Sequence, residues 1–248
     1  MRKLHIIMPM AGEGSRFKKI GVEIPKPLIK ANGVPFFVRA LYGVKDKFSF
    51  DDVKITCVVQ RNHATKYNLD GEILNHINAN IVMLPKLTNG AVETCLAAHA
   101  FIDDSDAVIV LDCDLEWHCS DYMSMIAKLL QDDYKQVGGI LLSFDSNDPR
   151  YSYALVENDV VVKTAEKNPI SNNALVGAYY FNTANDFFDS AFKLIENNKL
   201  SDIKEYYVSL LYNYLIESGR IVKLYKTDSL YSFGTPEELS RYEQLNKQ

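Results

Sequence analysis

Two short stretches of this sequence gather residue types suited to holding phosphates. "GEGSRF" (12–17) places two glycines and an arginine just behind the apolar run "LHIIMPM" (4–10), and "PKPL" (25–28) follows seven residues later. Glycine lets backbone N–H groups approach anionic oxygens closely, and Arg16, Lys19 and Lys26 would balance the charge. A third stretch, "AVIVLDCD" (107–114), ends an apolar run in Asp112 and Asp114. A carboxylate ionised at the end of a buried strand is costly without a cation, which favours a metal role for Asp114.

The charge distribution supports this pairing. The chain is net acidic at -5, yet residues 1–30 hold Arg2, Lys3, Arg16, Lys18, Lys19, Lys26 and Lys30 against only Glu13 and Glu23. Residues 101–121 are the inverse, with Asp103, Asp104, Asp106, Asp112, Asp114, Glu116 and Asp121 and no lysine or arginine. A basic and an acidic patch meeting in one cleft suit a polyphosphate and its cation. The net negative charge argues against nucleic acid as a partner. Lys18, Lys19 and Lys30 are expected on a solvated face, and Asp103, Asp104 and Asp106 in a loop or cap.

Two familiar phosphate loops are excluded. The dinucleotide fingerprint needs a third glycine where this chain has Phe17, and the mononucleotide loop needs Gly-Lys-Ser/Thr, which is absent. By themselves the glycines also fit a plain turn with surface lysines. Cys57, Cys95, Cys113 and Cys119 lack CxxC spacing and read as buried thiols. His5, His63, His76, His99 and His118 show no metal-ligand spacing. No apolar run is long enough to span a membrane or serve as a secretion signal, so a cytoplasmic protein is expected.

The elements that must position these groups alternate. Strands are predicted at 4–10, 53–59, 80–85, 107–114 and 137–144, with helices at 36–44, 90–102 and 122–130 between them. On the 90–102 helix, Val92, Cys95, Leu96 and His99 are expected to share one face. Continuous Val, Ile and Leu runs imply an α/β fold, a mostly parallel sheet covered by helices on both faces. Later come a hairpin over 153–167 turning at Glu157, Asn158 and Asp159, a strand at 174–181, helices near 184–197 and 205–218, and a strand at 221–226. A last helix over 235–245 has a threonine cap, a proline in its first turn and a glutamate three residues after the cap. With no repeat or linker, one domain over 1–248 is expected, 1–145 holding a nucleotide and 146–248 an acceptor.

"GEGSRF" followed by "PKPLIKANGVPFF" resembles the signature of nucleotidyltransferases that activate phosphorylated sugars and related small phosphates. The resemblance implies a three-layer, Rossmann-like fold of the GT-A type with a mixed, mostly parallel sheet. It implies a loop around a nucleoside triphosphate, formed by Met10, Ala11, Gly12, Glu13, Gly14 and Ser15 with Gln60, and Arg16 and Lys26 stabilising the departing pyrophosphate. "TNGAVETCLAA" (88–98) resembles the segment beside the nucleobase, which would place Gly90 and Ala91 there with Glu93 and Thr94 nearby. "VLDCDLEW" (110–117) resembles the magnesium-binding strand end, through Asp114 with Asp112 assisting. "VVKTAEKNP" with "VGAYYF" is similar to the acceptor segment, implying Glu166 on acceptor hydroxyls, Lys167 on the acceptor phosphate, and Gly177 beside them. "YSFGTPEEL" (231–239) resembles the closing motif.

In one place the pattern departs. Sugar-activating members often carry an aspartate two residues before the closing glycine, where this chain has Ser232; Asp112, Glu116 or Asp228 would have to substitute if a second carboxylate is needed. Trp117 is expected in the core and His118 at the surface, with an acceptor pocket the alternative for both. The resemblance implies transfer of a nucleoside monophosphate to a sugar phosphate or other small phosphorylated metabolite, in the manner of enzymes making bacterial capsule or surface-polysaccharide precursors. Compact size favours CTP as donor, as in cytidylyltransferases acting on phosphocholine-like acceptors, and a monofunctional chain, either monomer or homodimer. Two other readings stand beside it. A GT-A glycosyltransferase would use Asp112-Cys113-Asp114 on a nucleotide sugar but leaves "PKPL" unexplained, and a silent nucleotide-binding protein would explain Ser232.

Overall fold

The computed structural model describes residues 2–131, 136–197 and 204–245. The chain opens with strand β1 (Leu4–Met10), helix α1 (Ser15–Lys18), the short hairpin β2 (Lys30–Ala31) and β3 (Val34–Pro35), and α2 (Phe36–Ala40). Next come β4 (Val53–Gln60), α3 (Arg61–Tyr67), α4 (Leu69–Leu74), β5 (Asn80–Leu84), α5 (Ala91–Leu96), β6 (Ala107–Leu111), β7 (Leu115–His118) and α6 (Ser120–Gln131). After these lie β8 (Val137–Asp145), β9 (Ser152–Glu157), β10 (Val160–Glu166), β11 (Asn173–Leu175), β12 (Ala178–Phe181) and α7 (Ala184–Asn197). The last are α8 (Leu211–Glu217), β13 (Ile221–Lys226), β14 (Ser229–Ser232) and α9 (Pro236–Leu245).

One mixed sheet runs in the order β10, β9, β11, β8, β12, β6, β1, β4, β5, with β13 added parallel to β8. β6, β1, β4 and β5 are mutually parallel, and β12 enters antiparallel between β6 and β8. The two-residue period of a strand divides the core. Leu4, Ile6, Met8 and Met10 face one side with Leu69, Ile126 and Leu129, whereas Ile7, Val58, Val108 and Val110 face the other with Val92, Ala191 and Leu211. Helices therefore cover both faces, giving the expected three-layer α/β architecture. Among the described residues no helix is long and apolar enough to cross a membrane.

Several boundaries differ from the sequence reading, each for a backbone reason. The strand expected over 107–114 stops at Leu111, just after its pairing with β1 ends at Ile7–Val110, although the Asp112 N–H still donates to the Gly177 carbonyl at 2.8 Å in register with the Leu111–Ala178 pair. A tight turn at Gly177, closed by the Ala178 N–H donating to the Val176 carbonyl at 2.7 Å, splits the strand expected over 174–181 into β11 and β12. The helix expected over 205–218 starts as a 3-10 turn at Val208 and becomes α-helical only at Leu211, since Tyr206 is held extended by backbone bonds with Asn89 and Val92. The helix expected over 90–102 ends at Leu96 as α5; beyond it Ala98 is buried, while His99 opens a separate 3-10 turn with its ring exposed, 4.1 Å from that of Phe188. The hairpin turns through Asn158 and Asp159, both left-handed, as a two-residue turn requires. Asp106 is buried rather than solvating its loop, and accepts the Lys3 N–H at 2.8 Å.

Candidate active site

A small third core fixes the entrance of the site. Phe17, Ile29, Ala31, Phe36, Phe233 and Tyr242 pack together, with Phe36 and Phe233 stacked at 4.9 Å. These apolar side chains tether the segments carrying Arg16, Lys26 and Gly234. Beneath them Arg39 donates to the Ala31 carbonyl at 2.7 Å, to Glu116 at 2.6 Å and to the Tyr242 hydroxyl at 2.6 Å. Glu116 is thereby committed to a buried ion pair and cannot replace the missing aspartate.

After β1 the chain forms the loop 11–14. Gly14 is left-handed at φ +63°, and a Cβ there would lie 3.3 Å from the Lys26 Cβ, so glycine permits the loop to close on "PKPL". The Gln60 side-chain amide donates to the Ala11 carbonyl and to Glu13 at 3.0 Å, stitching the loop to the end of β4. Hydrogen bonds from Lys18, then Gln60, hold the Glu13 carboxyl below its usual range. A cavity of about 300 Å³ opens against the loop and is lined by Met10, Gly12, Gly14, Ser15, Arg16 and Lys26, with Asp112 and Asp114 on its far side.

Lys26 Nζ donates to Asp114 Oδ2. Burial pulls the ammonium down, but Asp114, Cys113 and Asp112 outweigh it and the Lys26 pKa is raised. Burial, reinforced by Asp114 and Glu166 and opposed by Lys26, pushes Asp112 up to about 7. Gly177 fits only as glycine: a Cβ would fall 2.2 Å from Asp112 Oδ2. β14 pairs antiparallel with β7, and the Phe233 N–H donates to the Asp114 carbonyl at 2.7 Å, which delivers the closing motif to this carboxylate. Ser232 donates to Glu238 Oε2 at 2.9 Å, and Asp228 accepts the Ser120 N–H at 3.1 Å away from the site. Of the substitutes considered, only Asp112 stands beside Asp114. Among the described residues no group of three or more His, Cys, Asp and Glu side chains forms a cage. Two carboxylates, already attracting an ammonium, form the sparse oxygen set that suits magnesium shared with substrate phosphates.

A second cavity, of about 250 Å³, adjoins the first. It is lined by Glu166, Gly177 and Ala91, by Arg150, Tyr151 and Tyr207, and again by Arg16, Asp112, Asp114 and Gly234. Glu166 Oε2 accepts hydrogen bonds from Ser152 and, at 3.1 Å, from Ser209. Lys167, left-handed at φ +53°, turns its ammonium onto Tyr207, donating to the hydroxyl and lying 4.3 Å from the ring centroid. Burial pulls the Lys167 ammonium down, but Tyr207 and Glu166 outweigh it and the pKa is raised.

The structure thus brings Met10, Gly12, Gly14, Ser15, Arg16, Lys26, Asp112 and Asp114 to one cavity, and Ala91, Glu166 and Gly177 to its neighbour. Ala11, Glu13, Gln60, Gly90 and Lys167 line neither. Gly90 (φ +131°) is needed because a Cβ would meet the Tyr206 backbone nitrogen at 2.6 Å. Glu93 accepts from the Asn89 backbone and side chain, and Thr94 bonds Thr88 and the Gly90 carbonyl, so both are spent on that turn. Trp117 is fully buried and donates to the Ala40 carbonyl, while His118 meets Asp46; neither belongs to a cavity wall. Sequence reading missed Arg150, Tyr151, Tyr207, Gly234 and Glu238. For Glu238 the signal was present, since its place in the capping box of α9 puts its carboxylate beside Thr235 and Ser232.

Solved structures share this architecture. A nucleoside-diphosphate-sugar pyrophosphorylase from Vibrio cholerae RC9 superposes with a TM-score of 0.80 at 24% identity, over 96% of this chain and 99% of that one. An inositol-1-phosphate CTP transferase from T. maritima gives 0.73 at 16% identity, over 99% and 96%. A UDP-glucose pyrophosphorylase complexed with UDP-glucose gives 0.73 at 18%, over 100% and 99%. No curated protein sequence matches the chain significantly. The family model described as nucleotidyl transferase matches residues 4–217, which include the glycine loop, "PKPL", both aspartates and Glu166; the chain is an enzyme of the nucleotidyltransferase family.

Proposed function

We propose that this nucleotidyltransferase moves a nucleoside monophosphate from a nucleoside triphosphate to a small phosphorylated acceptor, a sugar phosphate or related metabolite, and releases pyrophosphate. One observation carries the reading: the two cavities share a wall made of Arg16, Asp112, Asp114 and Gly234. Two phosphorylated substrates placed in them would meet at these four residues. The loop cavity takes the triphosphate, and the cavity at Glu166 takes the acceptor. In this reading residues 1–145 bind the nucleotide and 146–248 the acceptor as one unit.

An acceptor phosphate oxygen attacks the α-phosphorus in line. The new P–O bond forms as the bond to the β-phosphate bridging oxygen breaks, and pyrophosphate leaves with that electron pair. An acceptor phosphate is already anionic near neutral pH, so no general base is needed. The residues hold two mutually repelling anions together and offset the charge that develops on the leaving group, the role assigned to Arg16 and Lys26. Asp114, with Asp112, would hold magnesium, which when bound supplies positive charge to the triphosphate. Glu166 would accept from acceptor hydroxyls. Gln60 and Glu13 hold the loop in shape.

CTP is placed first among donors on the compact size of the chain. The fold is shared by structures named for CTP and for UDP-glucose, so the base is decided by experiment. Melting temperatures with ATP, CTP, GTP, UTP and dTTP, with and without magnesium, make the first test. A ligand near 100 times its dissociation constant adds about 2.7 kcal/mol, a rise of about 5–10 °C at this size. One magnesium-dependent nucleotide standing out supports the reading. Stabilisation only by nucleotide sugars, with no pyrophosphate released against any phosphorylated acceptor, would overturn it in favour of glycosyl transfer.

A further inference from the structure

Resting on that reading, we propose that Arg150 reads the acceptor's phosphate and so restricts the acceptor to phosphomonoesters. A phosphate brought up to a triphosphate needs a cation on its own side. Lys167 is turned onto Tyr207 and lines neither cavity. Among the described residues the two cations that do line the acceptor cavity are Arg16 and Arg150, and Arg16 also lines the loop cavity, where the triphosphate would engage it. Arg150 is the cation left for the acceptor.

Its geometry fits that task. Nε donates to Asp148 Oδ2 at 2.9 Å, Nη1 to Glu238 Oε1 at 3.4 Å, and the guanidinium carbon lies 5.4 Å from the Tyr151 ring centroid. The fork is held in place before any ligand arrives, which lowers the ordering cost of binding. Nη2 makes no hydrogen bond among the described residues. An incoming phosphate would compete with the long Glu238 contact rather than with a short ion pair. Glu238 also connects Arg150 to the meeting point of the cavities. Its other oxygen accepts from Ser232 and the Thr235 N–H beside Gly234, whose carbonyl accepts Arg16 Nη1 at 3.3 Å. The two guanidiniums thus flank the closing motif, one per substrate.

The test compares full-length wild type with Arg150→Gln and Arg150→Lys. Pyrophosphate release is followed with each of the five nucleoside triphosphates against glucose 1-phosphate, inositol 1-phosphate and phosphocholine, with melting temperatures to check folding. Arg150→Gln is expected to raise the acceptor KM at least about tenfold, as for loss of a charged hydrogen bond, and to leave the nucleotide KM within about twofold. Arg150→Lys, keeping charge without the fork, should fall between. An unchanged acceptor KM in Arg150→Gln, or a nucleotide KM that rises equally, overturns the assignment of Arg150 while the transfer reading stands. No release by wild type with any pair overturns the transfer reading, and the inference falls with it.

Discussion

Asp112 Oδ2 occupies the space where a side chain on residue 177 would begin: a Cβ built on Gly177 falls 2.2 Å away, while the Asp112 N–H donates to the Gly177 carbonyl at 2.8 Å. The backbone bond pins both residues, so a methyl at 177 must push the carboxylate out of the wall shared by the cavities. Gly177→Ala is expected to cost about 1–3 kcal/mol of stability and to lower turnover at least about tenfold. Steady-state pyrophosphate release together with denaturant unfolding measures both. Wild-type turnover in a folded variant would mean that the position of Asp112 does not matter.

Lys26 and Asp114 give a second expectation. The ammonium that should face the leaving group rests on the carboxylate that should face magnesium. Lys26→Ala is expected to lower turnover at least about tenfold. It should also enlarge the rise in melting temperature on adding magnesium, because the ion no longer competes with an ammonium for Asp114. Asp114→Asn should abolish that rise. Magnesium titrations of the three proteins decide it, and equal shifts in all of them would detach Asp114 from the metal.

The regular parts of this architecture were legible because period and composition report burial. β1, β4, β13 and α7 fall where apolar spacing puts them, and the threonine, proline and glutamate at 235–238 announce the capping box. What escaped depends on contacts distant in sequence. The need for glycine at 177 follows from Asp112, 65 residues earlier, whose carboxylate fills the space of a Cβ there. The delayed start of α8 follows from Asn89, and the turn of Lys167 onto Tyr207 is a contact across 40 residues. Glu116 looked like a spare metal ligand until Arg39 was found on it. Local pattern locates an acidic residue, whereas its use depends on which cation the fold brings.

His5 supplies a pH dependence unrelated to the active site. It is fully buried in β1, with Nε2 2.8 Å from Thr56 Oγ1 and Nδ1 without a hydrogen-bond partner among the described residues. Burial, assisted by Lys54 and opposed by Asp106 and Asp103, lowers its pKa from 6.5 to about 4. The folded protein therefore holds the ring neutral over a range where the unfolded chain takes up a proton. Its contribution is constant above pH 6.5, and stability is lost as pH falls from there toward 4, on the order of 3 kcal/mol in all. In His5→Gln, urea unfolding at pH 7 and pH 4.5 should differ by about 2–3 kcal/mol less than in wild type. Parallel pH profiles for the two proteins would rule out His5 as the source.

The hydroxyl clamp on Glu166 leads to the last expectation. Ser152 and Ser209 both donate to Oε2, leaving Oε1 with Lys167 Nζ at 3.8 Å as its ion-pair partner among the described residues. With one oxygen saturated and the carboxylate unable to swing, Oε1 is the atom available to an acceptor hydroxyl. Removing either serine hydroxyl loosens that orientation without touching the phosphates. Losing a hydrogen bond to a charged group costs about 1.5–3 kcal/mol, so Ser152→Ala is expected to raise the acceptor KM about tenfold and leave the nucleotide KM unchanged. Because both serines act on one oxygen, the double variant should show a coupling of at least about 0.5 kcal/mol rather than simple addition. Acceptor KM values across Ser152→Ala, Ser209→Ala and the double variant test the clamp. Strict additivity, or an effect confined to the nucleotide, would show that Glu166 is oriented by something other than these two hydroxyls.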